Sequence, residues 1–406
     1  MVRQYNHHDF MKRNTIQLKR REERRIQAGH LWIYSNEIDT KKTPLSQFTK
    51  GEMAEVIASD GKFLGIAYLN PHSLITGRLL SRRREHFDQK QLVQRLEAAL
   101  ALRNRLFDKP YYRMVYGESD LLPGLIVDRF GDHLSVQLNS AGMDVLKERV
   151  LDGLRKVVNP ASILLRNDSS VRKLEQLPLA IEAGFGDPPT EVEVIENDVK
   201  MTVPLRHGQK TGWFYDQRVN RAELSKYVRG KRVLDVFCYV GSFAIQCAVA
   251  GAEEVWGVDA SRSALENALE NGAQNGVENR FYSVLGDAFE VLRALREEGE
   301  YFDVIVVDPP AFIKRKKDHV KGLRAYQRIG ELAMRLLAPD GILMAASCSM
   351  HLKRAELLDV IRSGSVKTGR HSQLLFEGMQ GPDHPVHPAI PETRYLKAYL
   401  ARVYKP

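Results

Sequence analysis

Two short motifs hold the residues best suited to chemistry. In "DVIVVDPPAF", Asp308 ends a nearly continuous apolar run and is followed by Pro309 and Pro310; in "GILMAASCSMH", Cys348 stands between Ser347 and Ser349 where another apolar run stops. Prolines cannot continue a strand ladder, so the pair fixes an extended exit against which a planar base can lie. Asp308 and the carbonyls after it offer acceptors, and Phe312 offers a stacking face of the kind that holds a base taken out of a helix. The same pattern also suits methyl transfer to an amino nitrogen of adenine or guanine, and it also describes a plain strand terminator with a core phenylalanine.

The thiol adds a different chemistry. C5 of a pyrimidine is a poor nucleophile, but a thiolate added at C6 creates an enolate or enamine whose C5 can attack an electrophilic methyl group; loss of the C5 proton then expels the cysteine. Nitrogen methylation has no use for such a thiol. A strand end beside Ser347, Ser349 and His351 favours ionisation over an apolar interior, and Asp308 can protonate or hydrogen-bond the N3 edge of cytosine as electron density builds there. A lone cysteine is ordinarily a packing residue. What favours the nucleophile here is the place of Cys348, one strand from Asp308 at the same sheet edge. Cys247, mid-helix among alanines, reads as core, whereas Cys238 is open between the two roles.

Such residues need a scaffold that gathers strand ends. From about residue 196 the sequence alternates strand and helix: "RVLDVF", "GSFAIQCAVAGA", "EVWGVDA", "SRSALENALENGAQNG", "YSVLGDA", "FDVIVVDPP" and "GILMAASCS". This alternation predicts an α/β, Rossmann-like doubly wound sheet with ligands at the carboxyl ends of its strands. A dinucleotide loop wants G-x-G-x-x-G, but the loop after Asp235 holds only Gly241, so a ligand without phosphates fits better. Asp259 follows Asp235 by 24 residues and ends the second strand, where a carboxylate can accept from both ribose hydroxyls. Asp287 ends the third, within reach of an adenine amine. Any one of these can be a helix cap. Three at successive strand ends point to S-adenosylmethionine, with Asp235, Phe237, Tyr239, Gly241, Ser242, Phe243, Asp259, Ala260, Ser261, Asp287 and Ala288 as candidate contacts. "HGQKTGWFYDQRVNR" lies just before the sheet. Its Lys210, Asp216, Gln217 and Arg218 exceed what capping a helix near Asp216 requires, and with Pro309, Pro310 and Phe312 the first, second and fourth of these are candidate substrate contacts.

Upstream, residues 10–82 read as a small barrel of hairpins, with one turn at Asp60-Gly61. Residues 83–195 read as an α+β module: a helix over Leu92 to Leu106, a hairpin turning at Gly131-Asp132, and Met143, Leu146, Val150, Leu151 and Leu154 at helical spacing before the strand "SILLRND". "GFGDPPTEVEVIEND" is the expected joint with residues 196–406.

Composition narrows the class. A chain of 406 residues exceeds a single core, and 43% hydrophobic with 27% charged residues describe an ordinary globular protein. The three cysteines lack CxxC spacing, which argues against a disulfide framework or zinc ribbon and for a reducing cytoplasm; no metal is expected. No apolar stretch approaches the roughly 18 residues of a membrane span. A net charge of +9 gathers at Lys12, Arg13, Lys19, Arg20, Arg21, Arg24 and Arg25, at Arg82 to Arg84, and at Lys314 to Lys317 with Lys321, Arg324 and Arg328. Each cluster alone describes a solvated face; together they favour RNA or DNA.

In combination these motifs resemble the ribosomal RNA large subunit methyltransferase I family, S-adenosylmethionine-dependent enzymes that make 5-methylcytidine in 23S ribosomal RNA. "GHLWIYSNEI" and its hairpins look like the family's RNA-binding PUA domain, and "GESDLLPGLIVDRFG" like its central domain. "GQKTGWFYDQRVNR", "DVFCYVGSFA", "DPPAF", "SCS" and "DHPVHPAIPETRYLKAYLARV" follow the catalytic domain in order. The resemblance implies Cys348 as nucleophile, Asp308 as the acid at the base, Asp235, Asp259 and Asp287 at the cofactor, ribosomal RNA as partner, and allows a homodimer. One departure is Ala311, where many RNA cytosine-C5 methyltransferases carry a second cysteine, so the step that releases the product and the base for the C5 proton are unassigned; close relatives often have a lysine there, which alters substrate contact. The alternatives are an rRNA guanine-N methyltransferase with an inert Cys348, or a non-catalytic RNA-binding assembly factor.

Overall fold

A computed structural model describes residues 14–85, 87–208 and 211–406, which leaves Lys12, Arg13 and Lys210 outside the described residues. The chain forms two compact units, one running to Pro188 and including Pro385–Thr393, the other made of Pro189–His384 and Arg394–Pro406.

In the first unit, β1 (Thr15–Gln17), β2 (Trp32–Tyr34), β3 (Met53–Ile57), β4 (Phe63–Leu69) and β5 (Ile75–Ser81) form a sheet in the order β1-β3-β4-β5-β2. β3 and β4 are the hairpin expected at Asp60-Gly61, and Gly61 takes a φ of +86° that a side chain would resist. β1, however, runs parallel to β3, so not every neighbour is a hairpin partner. A bridge between Leu18 and Ile38, just past the two edge strands, brings the edges together and closes the sheet as a barrel closes. Ile16, Leu18, Ile33, Val56, Leu69 and Leu79 fill it, joined by Ile390 from the distant segment.

The same unit holds a second sheet, β10-β9-β8-β7-β6, from β6 (Tyr111–Tyr116), β7 (Leu125–Phe130), β8 (His133–Leu138), β9 (Ser162–Asn167) and β10 (Ala180–Phe185). β7 and β8 turn at Gly131-Asp132; β8 and β9 are parallel, so helical residues Lys147–Val158 must cross between them. Val150, Leu151 and Leu154 of that helix pack with Leu92 and Leu96 of the helix Gln89–Leu106.

The second unit opens with the hairpin β11 (Glu191–Glu196) and β12 (Val199–Pro204), across which the expected division at residue 195 falls. Its main sheet has the order β15-β14-β13-β16-β17-β19-β18, from β13 (Arg232–Val236), β14 (Glu254–Asp259), β15 (Phe281–Leu285), β16 (Phe302–Val307), β17 (Leu337–Ser347), β18 (His371–Gly378) and β19 (Lys397–Tyr404). β15 through β17 are mutually parallel, as the alternation predicts. β19 is antiparallel to both β17 and β18, so the sheet is not parallel throughout. Strand order reverses between β13 and β16, the switch point where crevices open in such sheets. Val236 is level with Val307, and Val307 with Ala345. Asp235, Asp308 and Cys348 therefore reach one edge on three adjacent strands. Among the described residues no helix is long and apolar enough to cross a membrane.

Candidate active site

The loop after β13 is built from strained backbone. Phe237 and Tyr239 have φ of +69° and +53°, and Gly241 +81°; non-glycine residues hold such angles only where their surroundings dictate them. Here the N–H groups of Phe237 and Cys238 both donate to Val258 O (2.9 and 3.0 Å), and Tyr239 N donates to Asp259 Oδ2 (3.0 Å). Asp259 Oδ1 accepts from Ser261 N (2.9 Å), just past Ala260, and Ser261 Oγ caps the helix Arg262–Gln274 by accepting from Ala264 N (3.3 Å). Asp235 Oδ2 accepts from Ala244 N (3.0 Å), near the start of the helix Ser242–Val249, whose Ser242 and Phe243 are buried. Asp287 is exposed and caps the helix Ala288–Glu297, accepting from Phe289 N (2.9 Å) and Glu290 N (3.2 Å). Capping and ligand binding are thus not exclusive at these aspartates, since a carboxylate has more lone pairs than these bonds use.

The electrostatics select the ligand's charge. Burial pushes the Asp235 carboxyl up to about 8; the Ala244 N–H pulls it back, while Asp308 and Asp259 push further and Arg221 only partly offsets them. Carboxyl groups crowded in this way favour a cation, which would draw Asp235 into its ionised form, and disfavour phosphate. S-adenosylmethionine, with a sulfonium and an ammonium, fits that field.

Asp308 directly follows β16, and Gln217 Nε2 donates to its Oδ2 (2.8 Å). Gln217, buried, in turn accepts from Asn220 Nδ2 (2.5 Å). Pro309 is buried and Pro310 exposed. Phe312 is half-buried among Phe237, Phe289 and Tyr326, with ring centroids at 6.2, 6.2 and 4.9 Å.

Cys348 is half-buried, whereas Cys238 and Cys247 are buried, and burial pushes both of those thiols up. The turn carrying Cys348 is fixed from three sides. Tyr326 Oη lies 2.8 Å from both Ser347 Oγ and Ser349 Oγ, Ile313 N donates to Ser349 Oγ (3.3 Å), and Lys397 Nζ donates to Ser349 O (2.6 Å). Ile313 directly follows Phe312, so the loop after Asp308 and the turn of Cys348 share hydrogen bonds. His351 is exposed.

The segment before β13 divides its polar groups. Glu196, fully buried, accepts from Arg221 Nε (2.6 Å), Arg218 Nε (3.3 Å), Trp213 Nε1 (3.1 Å) and Gln246 Nε2 (3.1 Å). Burial pushes its carboxyl up, but Arg221 and Arg218 outweigh that and hold it below the usual range. Arg221 also lies over Trp213 and Phe243 (4.9 and 5.6 Å to the centroids). Asp216 accepts from the Tyr395 hydroxyl through Oδ2, and its carbonyl from Gly381 N (2.9 Å). Within this segment it is Gln217 that reaches Asp308, while Arg218 is engaged with Glu196. Sequence reasoning missed Glu196, Arg221, Tyr326 and Lys397. Of these, a lysine opening the apolar run "KAYLARVY" is the one visible signal.

Fold and site together define an S-adenosylmethionine-dependent methyltransferase. Residues 170–379 match the family described as S-adenosylmethionine-dependent methyltransferase, and residues 16–82 match the PUA-like domain. Ribosomal RNA large subunit methyltransferase I of Tolumonas auensis is 37% identical over 397 residues, covering 96% of this chain and 99% of that protein. Its counterpart in Vibrio cholerae is 35% identical over 396 residues, with 96% and 99% covered. The chain belongs to the ribosomal RNA large subunit methyltransferase I family. In fold it is similar to a SAM-dependent methyltransferase from Streptococcus mutans (TM-score 0.81, 20% identity, 96% of this chain and all of that one). A methyltransferase solved in complex with SAH is similar too, at a TM-score of 0.83 and 19% identity, with the same coverage.

Proposed function

We propose that this enzyme methylates C5 of a cytosine in large-subunit ribosomal RNA, with Cys348 as the nucleophile at C6. The observation that carries the reading is the half-buried thiol at the end of β17, one strand from Asp308, in a turn hydrogen-bonded to the loop that Asp308 opens. The names of the relatives supply ribosomal RNA as the substrate class. S-adenosylmethionine, when bound, supplies an electrophilic methyl group. Asp259 and Asp287 would take its hydroxyl and amine donors, and its positive charge would favour the ionised form of Asp235. Pro309, Pro310 and Phe312 wall the cytosine. The Cys348 thiolate forms a bond to C6, the ring electrons move toward N3, and Asp308 donates a hydrogen bond or proton there. C5 is then nucleophilic and would form a bond to the methyl group that S-adenosylmethionine supplies, the sulfonium S–CH3 bond breaking to leave a neutral thioether. Loss of the C5 proton restores the C5–C6 double bond, and the C6–S bond breaks to return the thiolate. The exposed basic clusters hold phosphates.

The test is transfer of labelled methyl to rRNA by wild type and Cys348→Ala, followed by nucleoside analysis. Wild type yields 5-methylcytidine, and the variant loses about a thousandfold or more in rate. A variant that keeps its rate, or label on guanine, overturns the reading in favour of nitrogen methylation.

A further inference from the structure

Lys397 opens β19, and its backbone is level with Ser347, the residue before Cys348. Its side chain is buried, 5% exposed, and Nζ gives one of its three hydrogens to Ser349 O, the carbonyl just after the thiol's residue. The amine is therefore pinned by the turn that carries Cys348. The other charged groups around it come from neighbouring elements and are already engaged. Arg354, which opens the helix Arg354–Lys367, donates to Glu377 Oε1 on β18 (2.8 Å) and to Leu396 O (3.0 Å). Glu356 accepts from Lys353 N (2.8 Å) and lies 2.9 Å from His319 Nε2. Tyr326, from the helix His319–Leu336, bonds the two serine hydroxyls. Lys397 thus brings a buried cation to the thiol turn, and burying a lysine without an anion is costly.

We propose that Lys397 is a positioning residue that holds Cys348 as its thiolate, the ammonium anchored on Ser349 O standing as the counter-ion to the sulfur. The inference rests on the reading of Cys348 as nucleophile. In forming the pair Cys348 gives its proton to solvent and Lys397 keeps its own. Burial pushes Lys397 down to about 8, Cys348 and Glu356 raise it, and Arg354 lowers it. The charge that supports the thiolate is thus present below that pH and fades above it.

The test measures the rate of iodoacetamide alkylation of Cys348 against pH, resolved by peptide mass spectrometry, in the full chain. Lys397→Gln keeps a donor for Ser349 O but removes the charge, Lys397→Met removes both, and Lys397→Arg keeps the charge. We expect the midpoint to rise by about one pH unit or more in the Gln and Met variants, with alkylation at pH 7 about tenfold slower, and to stay near wild type in Lys397→Arg. Cys238 and Cys247 are buried and report unfolding by becoming labelled, so a variant that loses its fold identifies itself and the remaining variants decide. A wild-type midpoint in a folded Gln or Met variant overturns the inference, as does a folded Arg variant shifted as far as Gln. Methyl transfer by Cys348→Ala separates the two claims. If that variant still methylates, the nucleophile reading fails whatever the midpoints show; if it is inactive and Lys397→Gln leaves the midpoint unmoved, only the role of Lys397 fails.

Discussion

Burying Asp235 beside Asp308 and Asp259 makes the ligand-free protein less stable as pH rises. Its carboxyl titrates near 8 in the fold, chiefly because of burial, and near 4 in an unfolded chain. Between those values the folded state keeps a proton that the unfolded state has lost, so stability falls by up to about 1.4 kcal/mol per pH unit; the penalty is absent below about 4 and complete above about 8. Asp235→Asn removes the titration while keeping an oxygen for Ala244 N. The ligand-free variant should melt above wild type at pH 7.5, with the gap closing toward pH 5, and should bind S-adenosylmethionine about tenfold or more weakly. Thermal unfolding from pH 5 to 8 checks this, and parallel pH slopes for the two proteins would refute it. Instability of this kind is expected where a site is shaped for a cation that arrives later.

At the scale of elements, Glu196 joins the end of β11, the segment from Trp213 to Arg221 and the helix Ser242–Val249 through one buried carboxylate. Removing the anion leaves two guanidinium groups facing a neutral residue in a dry interior, which costs about 3–5 kcal/mol. Glu196→Gln should therefore lower the unfolding free energy by that order in urea titrations at pH 7; a loss under about 1 kcal/mol would show the arginines repartnering with water. The same cluster explains what the sequence hid. "GWFYDQR" is dense in polar groups, yet nothing local tells that Arg218 and Arg221 answer a glutamate in another element, whereas Gln217 answers Asp308, 91 residues on. The strand ends were legible because apolar runs and an abrupt aspartate or cysteine mark them directly. β18 was not, since most of its residues are exposed and it carries no alternating pattern. For Lys397 the sequence shows only a lysine opening an apolar run; which group it meets is fixed by antiparallel register with β17, which periodicity along one strand does not encode.

At the scale of the whole molecule, the surplus of positive charge is a statement about partners rather than fold. Lys314, Arg315, Lys316 and Lys317 are all exposed just past the Asp308 loop, and Arg315 is paired with Asp318 (2.9 Å). The three lysines carry the charge that this pair does not balance. If they hold phosphates of the proposed rRNA substrate, each contact releases a counter-ion, and the slope of log affinity against log salt falls by about 0.7 to 0.9 per charge removed. Replacing Lys314, Lys316 and Lys317 together by Ala should therefore flatten that slope by about 2 to 3 and weaken binding most at low salt. Affinity for S-adenosylmethionine should not change, because that field is set by Asp235, Asp259 and Asp308. Filter binding to rRNA fragments across a salt series measures the slope. An unchanged slope would make this cluster a solvated face, since exposed charges farther than a Debye length, about 8 Å at physiological salt, from any phosphate contribute little.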